Sequence, residues 1–454
     1  MSTTSNTTAN KPQAVLETRD AIGIIVGLII GSGIFKLPQL VAMNSANEWM
    51  FYFVWVAGGV ISLVGALCYA ELATAYPSVG GDYHFLRRSF GRSIGFLFAW
   101  ARLTVVTSGS VAILAFVFGD YASNLLNLGS QSSAIYAVLA VIVFTAINLS
   151  GIRGTKGTQN ILTIIEVGGV VAVIVTGILL FAGAGTAPAP IHATDNPNLW
   201  AGMPLAILFV LFTFGGWNDA AYISAELKER RAMVRALIWS IVAVTVLYLL
   251  VNIAYVKALG LGGIAKSGTP AADVLRALLG EGGALFISAI IAISALTSIN
   301  ATIIVGARSN YALGSDWRIF RWLGQWDSAS DAPRNALITQ ALVALGLILG
   351  SVITGKGFQT LVEYTMPVFW FFVMLVGVGV FVLRAKEPDV PRPFKVPLYP
   401  ITPILFILTC AYLLWSSLNY VKGGAWFGVG VIAVGALVML IGRRLEDGDA
   451  NRAS

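Results

Sequence analysis

The chain has 454 residues, of which 57% are hydrophobic and only 11% are charged, and its mean hydropathy is +0.80. A soluble protein carries about twice this charged fraction, so the composition excludes an ordinary soluble domain and indicates a polytopic membrane protein. The formal net charge of +7 does not indicate nucleic-acid binding, because most basic residues fall in loops on one side of the predicted membrane.

Twelve transmembrane helices are predicted between a Ser/Thr/Asn-rich tail over residues 1–19, which we expect to be disordered, and a second tail over 443–454. Each span requires roughly 20 apolar residues, and no region shows the alternating polarity of a transmembrane β-barrel. The predicted spans cover residues 20–43, 49–76, 94–122, 134–150, 158–182, 200–225, 235–258, 283–312, 335–354, 358–383, 399–419 and 424–442.

The distribution of Lys and Arg predicts the orientation of these spans. Of the 29 basic residues, 22 lie in the tails and in the loops or span ends of one side, five lie in the loops or span ends of the other side, and Lys36 and Arg102 lie deeper within spans. The positive-inside rule therefore places both termini in the cytoplasm. Glu71 and Glu226 lie near cytoplasmic ends of spans, where we expect them to pair with loop arginines.

The first span contains the stretch GLIIGSGIFKLP, in which glycines, Lys36 and Pro38 interrupt an apolar run. An interrupted helix is tolerated in a bilayer only where the break lines a polar cavity. The half-helix after the break has free N–H groups and a positive dipole end, which suit a carboxylate.

The sixth span shows a comparable interruption, with Gly215 and Gly216 followed by Asn218 and Asp219. Paired breaks five spans apart are typical of transporters built from inverted repeats, and they predict repeats over 20–182 and 200–383 with the spans of 399–442 added. Close helix packing is the alternative explanation for the glycines, but the intramembrane polar pair favours a functional site.

The motifs GSGIF in span 1 and FTFGGWN in span 6 resemble the amino acid–polyamine–organocation superfamily, and in particular its L-type amino acid transporter branch. Further similar stretches are GGDY after span 2, SINATIIVGARSNYALGSD at the end of span 8 and RPFKVPLYP before span 11. The similarity extends over nearly all of residues 20–420. It implies an all-α fold of 5+5 inverted repeats with two extra helices, in which spans 1 and 6 are broken.

The resemblance also implies where an amino acid binds. The N–H groups after the span-1 break would bind its α-carboxylate, and carbonyls at the span-6 break would bind its α-ammonium group. Phe212 corresponds to an aromatic gate, with ordinary packing as the alternative, and Tyr255 corresponds to a tyrosine that braces the breaks. The implied substrate-binding residues are Gly31, Ser32, Gly33, Ile34, Phe212, Thr213, Phe214, Gly215 and Asn218.

The sequence departs from the family in span 5, where Glu166 occupies the position of a lysine found in many members. We expect Glu166 to pair with Arg102 or Lys36 in at least one conformation, the alternative being that both cations extend to lipid headgroups. A second hypothesis is that Glu166 or Asp219 carries a coupling proton, since intramembrane acids form proton relays.

The predicted substrate is a small or medium neutral L-amino acid, because Lys36 disfavours cations near the site. It would move by alternating access, through either exchange or proton-coupled symport. A cationic amino acid or polyamine is the alternative, since Asp219 could meet a second positive charge, and a channel is a remote one. No enzyme, metal or cofactor is indicated, because His84 and His192 are far apart and no nucleophile and base are paired.

Neither a protein partner nor a nucleic acid is predicted. In the L-type branch a cysteine in loop 3–4 joins the transporter to a single-pass glycoprotein, but the corresponding loop NLLNLGSQSS has no cysteine. Cys68 and Cys410 both fall within spans and are predicted to be packing residues. We therefore expect a self-sufficient transporter, typical of a bacterial inner membrane, whose other partners are its amino acid, protons and the lipid bilayer.

Overall fold

The computed structural model describes residues 16–31, 33–78, 80–150, 156–183, 201–327, 332–355, 357–421 and 425–453. Within these ranges the chain is helical and contains no β-strand. The α-helices are α1 (Thr18–Ile29), α2 (Gly33–Met43), α3 (Glu48–Ala75), α4 (Gly81–Phe90), α5 (Arg92–Ala101), α6 (Thr107–Leu125), α7 (Ser132–Leu149), α8 (Lys156–Phe181), α9 (Met203–Thr213), α10 (Ala232–Lys266), α11 (Pro270–Asp316), α12 (Arg334–Ile353), α13 (Phe358–Lys386), α14 (Ile401–Val421) and α15 (Ala425–Ala453). A π-helical turn (Arg102–Val106) joins α5 to α6, and 3-10 helices cover Asn218–Glu226 and Arg318–Phe320.

The predicted all-helical membrane architecture is confirmed. In the described part of the chain, ten helices are long and apolar enough to cross a membrane, or eleven if α1 and α2 form one bent span. Large apolar side chains such as Ile164, Phe181 and Trp239 are exposed on the outer surface, as expected of residues that face lipid. Helix α15 covers the predicted twelfth span, and the count of twelve spans stays a prediction.

Both predicted helix breaks are present. The axes of α1 and α2 differ by 49° across the break in span 1, where Ser32 lies outside the described residues. In span 6, α9 ends at Thr213, the chain turns through residues 214–217, and it continues as a 3-10 helix from Asn218. Each break therefore divides its span into two helical halves.

The two halves of span 1 pack on different sets of helices. Helices α6 and α11 pack extensively on each other, and α8 packs on α10 and α11. Helix α1 packs on α10 and on the 3-10 helix of span 6, whereas α2 packs on α9, α10 and α11. Of the two halves of span 1, α2 is thus the half that packs on α11.

The loops predicted to share the cytoplasmic side meet at one end of the bundle. Glu17 binds Lys228, Arg88 binds Glu387, and the hydroxyl of Ser93 accepts a hydrogen bond from Arg443 near the C-terminus. We call this end the terminal face and the opposite end the distal face.

Glu71 ties span 2 to the connection between spans 10 and 11 at the terminal face. Its buried carboxylate binds the guanidinium of Arg384 at 2.5 Å and accepts the backbone N–H of Val396 at 2.7 Å. Arg392 lies 3.6 Å away. The expected pairing of Glu71 with loop arginines is confirmed, whereas the side chain of Glu226 lies outside the described residues.

Candidate functional site at the two helix breaks

The breaks of spans 1 and 6 lie against each other. Gly216 has a φ of +111°, and a Cβ atom added to it would lie 2.3 Å from the carbonyl oxygen of Leu28. Only glycine combines this backbone conformation with so close an approach. On the other side of the break, Gly33 at the start of α2 lies in contact distance of Thr213 at the end of α9. The first residues of α2 and the last residues of α9 therefore face one another.

This arrangement gives the site two opposite polar ends. The first N–H groups of α2, at Gly33 and Ile34, have no carbonyl partner within their own helix, and the helix dipole is positive there. At the end of α9, the carbonyl of Phe212 accepts the N–H of Gly215 at 3.1 Å and keeps a second lone pair. A molecule that carries both an anion and a cation fits between such ends.

The aromatic residues at the span-6 break differ in their surroundings. The ring of Phe214 is buried between Trp55 and Tyr248, with ring centroids 6.4 Å and 5.1 Å away, so only its backbone can line the site. Phe212 is half-buried at the edge of the core. Of the two rings, that of Phe212 is the one that is partly exposed.

Two tyrosines of α10 brace the break in span 1. The hydroxyl of Tyr255 donates to the carbonyl of Ile34 at 3.3 Å, after the break. The hydroxyl of Tyr248 lies 2.8 Å from the carbonyl oxygen of Ile29, before the break, and 3.3 Å from that of Thr213 in span 6. Sequence reasoning named Tyr255 and missed Tyr248, although the two are two helical turns apart and so share one face of the helix.

Lys36 forms an ion pair on the distal side of the break. Its Nζ atom lies 2.7 Å from a carboxylate oxygen of Asp120 on α6 and donates to the carbonyl of Gly268 at 2.8 Å. The other carboxylate oxygen of Asp120 accepts the hydroxyl of Ser133 at 2.6 Å. Sequence reasoning missed Asp120, and its signal was an acid inside the third predicted span.

Glu166 on α8 is buried, and its carboxylate accepts the hydroxyl of Ser294 on α11 at 2.6 Å. It does not contact Lys36 or Arg102 in this structure, since Lys36 binds Asp120 and Arg102 binds Tyr222. Both cations therefore have partners inside the protein, contrary to the alternative that they extend to headgroups. Pairing of Glu166 with either cation in another conformation stays a prediction.

Arg102 belongs to a buried charged cluster on the terminal side of the site. It is the first residue of the π-helical turn, a feature that is frequent at functional sites. Its guanidinium donates to the hydroxyl of Tyr222, lies 4.8 Å from the centre of that ring, and attracts the carboxylates of Asp82 and Asp219. Burial, and then the charge of Asp219, raises the pKa of Asp82 to about 7, and Arg102 acts in the opposite direction.

The GGDY motif explains how α4 reaches this cluster. Gly81 has a φ of +46°, and a Cβ atom there would lie 2.6 Å from the ring of Tyr222. The glycine thus allows α4 to approach span 6, which brings Asp82 beside Asn218 and Asp219. Asp82 was not among the predicted site residues, although it lies in a motif that the sequence analysis quoted.

A cavity of about 500 Å³ opens beside the cluster. Arg102 and Tyr222 form part of its wall, together with Tyr83 from α4 and Phe98 from α5. Residues of α11, including Arg308, complete the wall. The cavity lies towards the terminal face.

Comparisons with known proteins show which family the chain belongs to. A family model described as "Amino acid permease" matches residues 16–441. The chain belongs to the amino acid permease family. This permease is 31% identical over 438 residues to the large neutral amino acids transporter small subunit 2 of Rattus norvegicus, covering 93% of this chain and 78% of that protein.

Two further relatives are transporters of other kinds. The b(0,+)-type amino acid transporter 1 of Rattus norvegicus is 29% identical over 410 residues, covering 89% of this chain and 82% of that protein. The cystine/glutamate transporter of Pongo abelii is 27% identical over 403 residues, covering 87% and 79%. The family resemblance of the sequence motifs is confirmed, and the chain is a permease and not an enzyme.

Proposed function

We propose that this permease carries small or medium neutral L-amino acids across the membrane by alternating access. The supporting observation is the meeting of the two breaks, where the positive end of α2 faces the carbonyl end of α9. The α-carboxylate binds the N–H groups of Ser32, Gly33 and Ile34, next to Gly31 in the sequence. The α-ammonium group binds the carbonyls of the span-6 break.

The remaining predicted residues take their roles around this amino acid. Phe212 covers the bound molecule, Thr213 and Gly215 supply carbonyls beside Phe214, and Asn218 faces the substrate side chain. Tyr255 holds the first turn of α2 in place through the carbonyl of Ile34.

The neutral substrate class is favoured over a cationic one by the surroundings of Asp219. This carboxylate lies beside the guanidinium of Arg102, so its charge is compensated within the protein. The ion pair with Lys36 likewise compensates the charge of Asp120 on the distal side.

The protein works either as an exchanger of amino acids or as a symporter that couples uptake to protons. Glu166 is the proposed proton carrier, because the described residues place the Ser294 hydroxyl and no cation against its carboxylate. A buried carboxylate without a countercharge favours its protonated form, so the group is suited to bind and release a proton as its surroundings change.

The protein works in a bacterial inner membrane with both termini in the cytoplasm and without a disulfide-linked subunit. The gathering of basic loops at the terminal face supports this orientation. Cys68 and Cys410 are both buried, so neither is available for a bond to another chain.

The test is uptake of labelled alanine, leucine and arginine by the purified protein in liposomes, with and without internal amino acid and with a pH step. Uptake that requires internal amino acid identifies an exchanger, and uptake driven by the pH step alone identifies a symporter. In the symporter case Glu166→Gln abolishes pH-driven uptake and retains exchange. The control Glu363→Gln changes a second intramembrane acid, which is bonded to Gln359 on its own helix, and preserves pH-driven uptake. Absence of all three uptakes would refute the proposed function.

A further inference from the structure

The charged cluster on the terminal side contains two carboxyl groups and one guanidinium. Asp82 comes from α4, Asp219 comes from the 3-10 helix of span 6, and Arg102 comes from the π-helical turn of span 3. Arg102 attracts both acids, and Tyr222 binds the guanidinium through its hydroxyl and its ring. The cluster thus joins three elements through one cation.

The cluster begins where the candidate substrate site ends. The side-chain oxygen of Asn218 lies 3.4 Å from the N–H of Gly216 in the break, and its amide nitrogen lies 3.5 Å from a carboxylate oxygen of Asp219. Asn218 also lies beside Asp82. A substrate side chain that extends past Asn218 would therefore approach the cluster of Asp82, Asp219 and Arg102.

The charge that such a side chain meets depends on Arg102. Arg102 attracts both carboxyl groups, so its positive charge offsets the negative charge that they carry. Without the guanidinium the two buried carboxyl groups would lack a countercharge, and the ammonium or guanidinium group of a substrate could supply it. A cation next to Arg102 is instead repelled, and like charges in contact are strongly unfavourable in a dry site.

We infer that Arg102 is a specificity-determining residue, which excludes cationic amino acids by neutralising Asp219 and Asp82 at the side-chain end of the site. This inference rests on the proposed function. It concerns which amino acids enter and not whether amino acids are carried.

The experiment measures how arginine and lysine compete with labelled leucine for uptake into liposomes. In Arg102→Gln the concentration of arginine that halves leucine uptake is expected to fall at least about tenfold, because the two acids lose their countercharge. The leucine KM should change less than about threefold, because a neutral side chain carries no charge to meet the cluster. Adding Asp219→Asn to Arg102→Gln should return the arginine concentration that halves leucine uptake towards its wild-type value.

Arg308 supplies a matched control, because it lines the same cavity and has no ion pair among the described residues. Arg308→Gln removes the same charge from the same wall and should leave the competition by arginine unchanged. If Arg308→Gln admits arginine as well as Arg102→Gln does, the cavity acts through its overall charge and the inference is overturned.

A double variant removes the two acids instead of the guanidinium, and it keeps the inference testable if Arg102→Gln does not fold. In Asp82→Asn/Asp219→Asn the guanidinium is left without carboxylates, so glutamate should compete with leucine at least about tenfold better. The inference is wrong if arginine competes with leucine no better in Arg102→Gln than in the wild type and glutamate competes no better in the double variant. Leucine uptake would then still support the proposed function. If the wild-type protein carries none of these amino acids, both proposals are overturned.

Discussion

The ion pair of Lys36 with Asp120 closes the distal side of the candidate site, and we predict that Asp120→Asn opens it. The pair joins α2 to α6, and the bond from Lys36 to Gly268 adds the connection between α10 and α11. On the same side, Asn124 on α6 bonds to Thr269 at 3.2 Å. In the proposed alternating-access cycle these contacts must separate whenever the distal side opens.

The size of the effect follows from the exposure of the pair. The side chains of Lys36 and Asp120 are 11% and 22% exposed, and their charged atoms are 2.7 Å apart. Removing one partner of a fully buried pair costs about 3–5 kcal/mol, whereas a fully exposed pair contributes about 0.5 kcal/mol. Gly268 still accepts a bond from Lys36, so we expect a cost of about 1.5–2 kcal/mol, which favours the distally open state by roughly 10- to 30-fold.

The assay is labelling of a cysteine by a membrane-impermeant maleimide added from the distal side. Phe358 is a suitable position, because it is buried and the Lys36 ammonium lies 5.7 Å from the centre of its ring. Phe358→Cys is introduced after Cys68 and Cys410 have been replaced by alanine. Adding Asp120→Asn should raise the labelling rate roughly 10- to 30-fold, in proportion to the open population.

The charge swap Lys36→Asp/Asp120→Lys should restore slow labelling, because it rebuilds the attraction between α2 and α6. The control Glu281→Gln neutralises an exposed acid near the start of α11, which pairs with Arg276 at 2.7 Å, and should leave the rate unchanged. A folded Asp120→Asn protein that is labelled at the parent rate would show that the pair does not hold the distal side closed.

Three further predictions concern the breaks and the terminal face. Tyr248→Phe removes the hydroxyl beside the carbonyl of Ile29, and the loss of about 1 kcal/mol should lower transport roughly fivefold, as measured by initial uptake rates. Gly216→Ala places a methyl group against the carbonyl of Leu28, so transport should fall more than about tenfold even where size-exclusion chromatography shows a monodisperse protein. Glu71→Gln weakens a buried pair by about 2–3 kcal/mol and should lower the melting temperature, with the leucine KM unchanged; an altered KM would contradict its structural role.

The sequence was informative where backbone chemistry alone determines the structure. Glycine is required where φ is positive and where another chain segment approaches closely, and Gly216 meets both conditions. For this reason the two breaks could be located from their glycines and polar neighbours. Buried acids inside apolar spans were recognisable for a different reason, because a charged group in a membrane is costly and each needs a partner or a function.

The partners of the charged residues could not be predicted from the sequence. Glu166 was expected to pair with Arg102 or Lys36 in at least one conformation, and in this structure Lys36 binds Asp120 while Glu166 on α8 binds Ser294. Such pairings depend on the packing of distant helices, which periodicity within one helix does not specify. The role of Tyr248 was missed for the same reason, because its two carbonyl partners belong to different spans.

The two charged groups at opposite ends of the breaks suggest an order of events in the proposed transport cycle. On the distal side α2 is bound to α6 and to the connection between α10 and α11, while a cavity lies beside Arg102 towards the terminal face. In the proposed cycle, this arrangement is the one expected of a protein closed distally and accessible from the terminal face. In the proposed cycle, opening the distal side must break the Lys36 pair, and the Arg102 cluster can stay intact because α4, the π-helical turn and span 6 already meet there. Asp120→Asn should therefore change the balance between open states without changing which amino acids are carried, whereas Arg102→Gln should do the reverse.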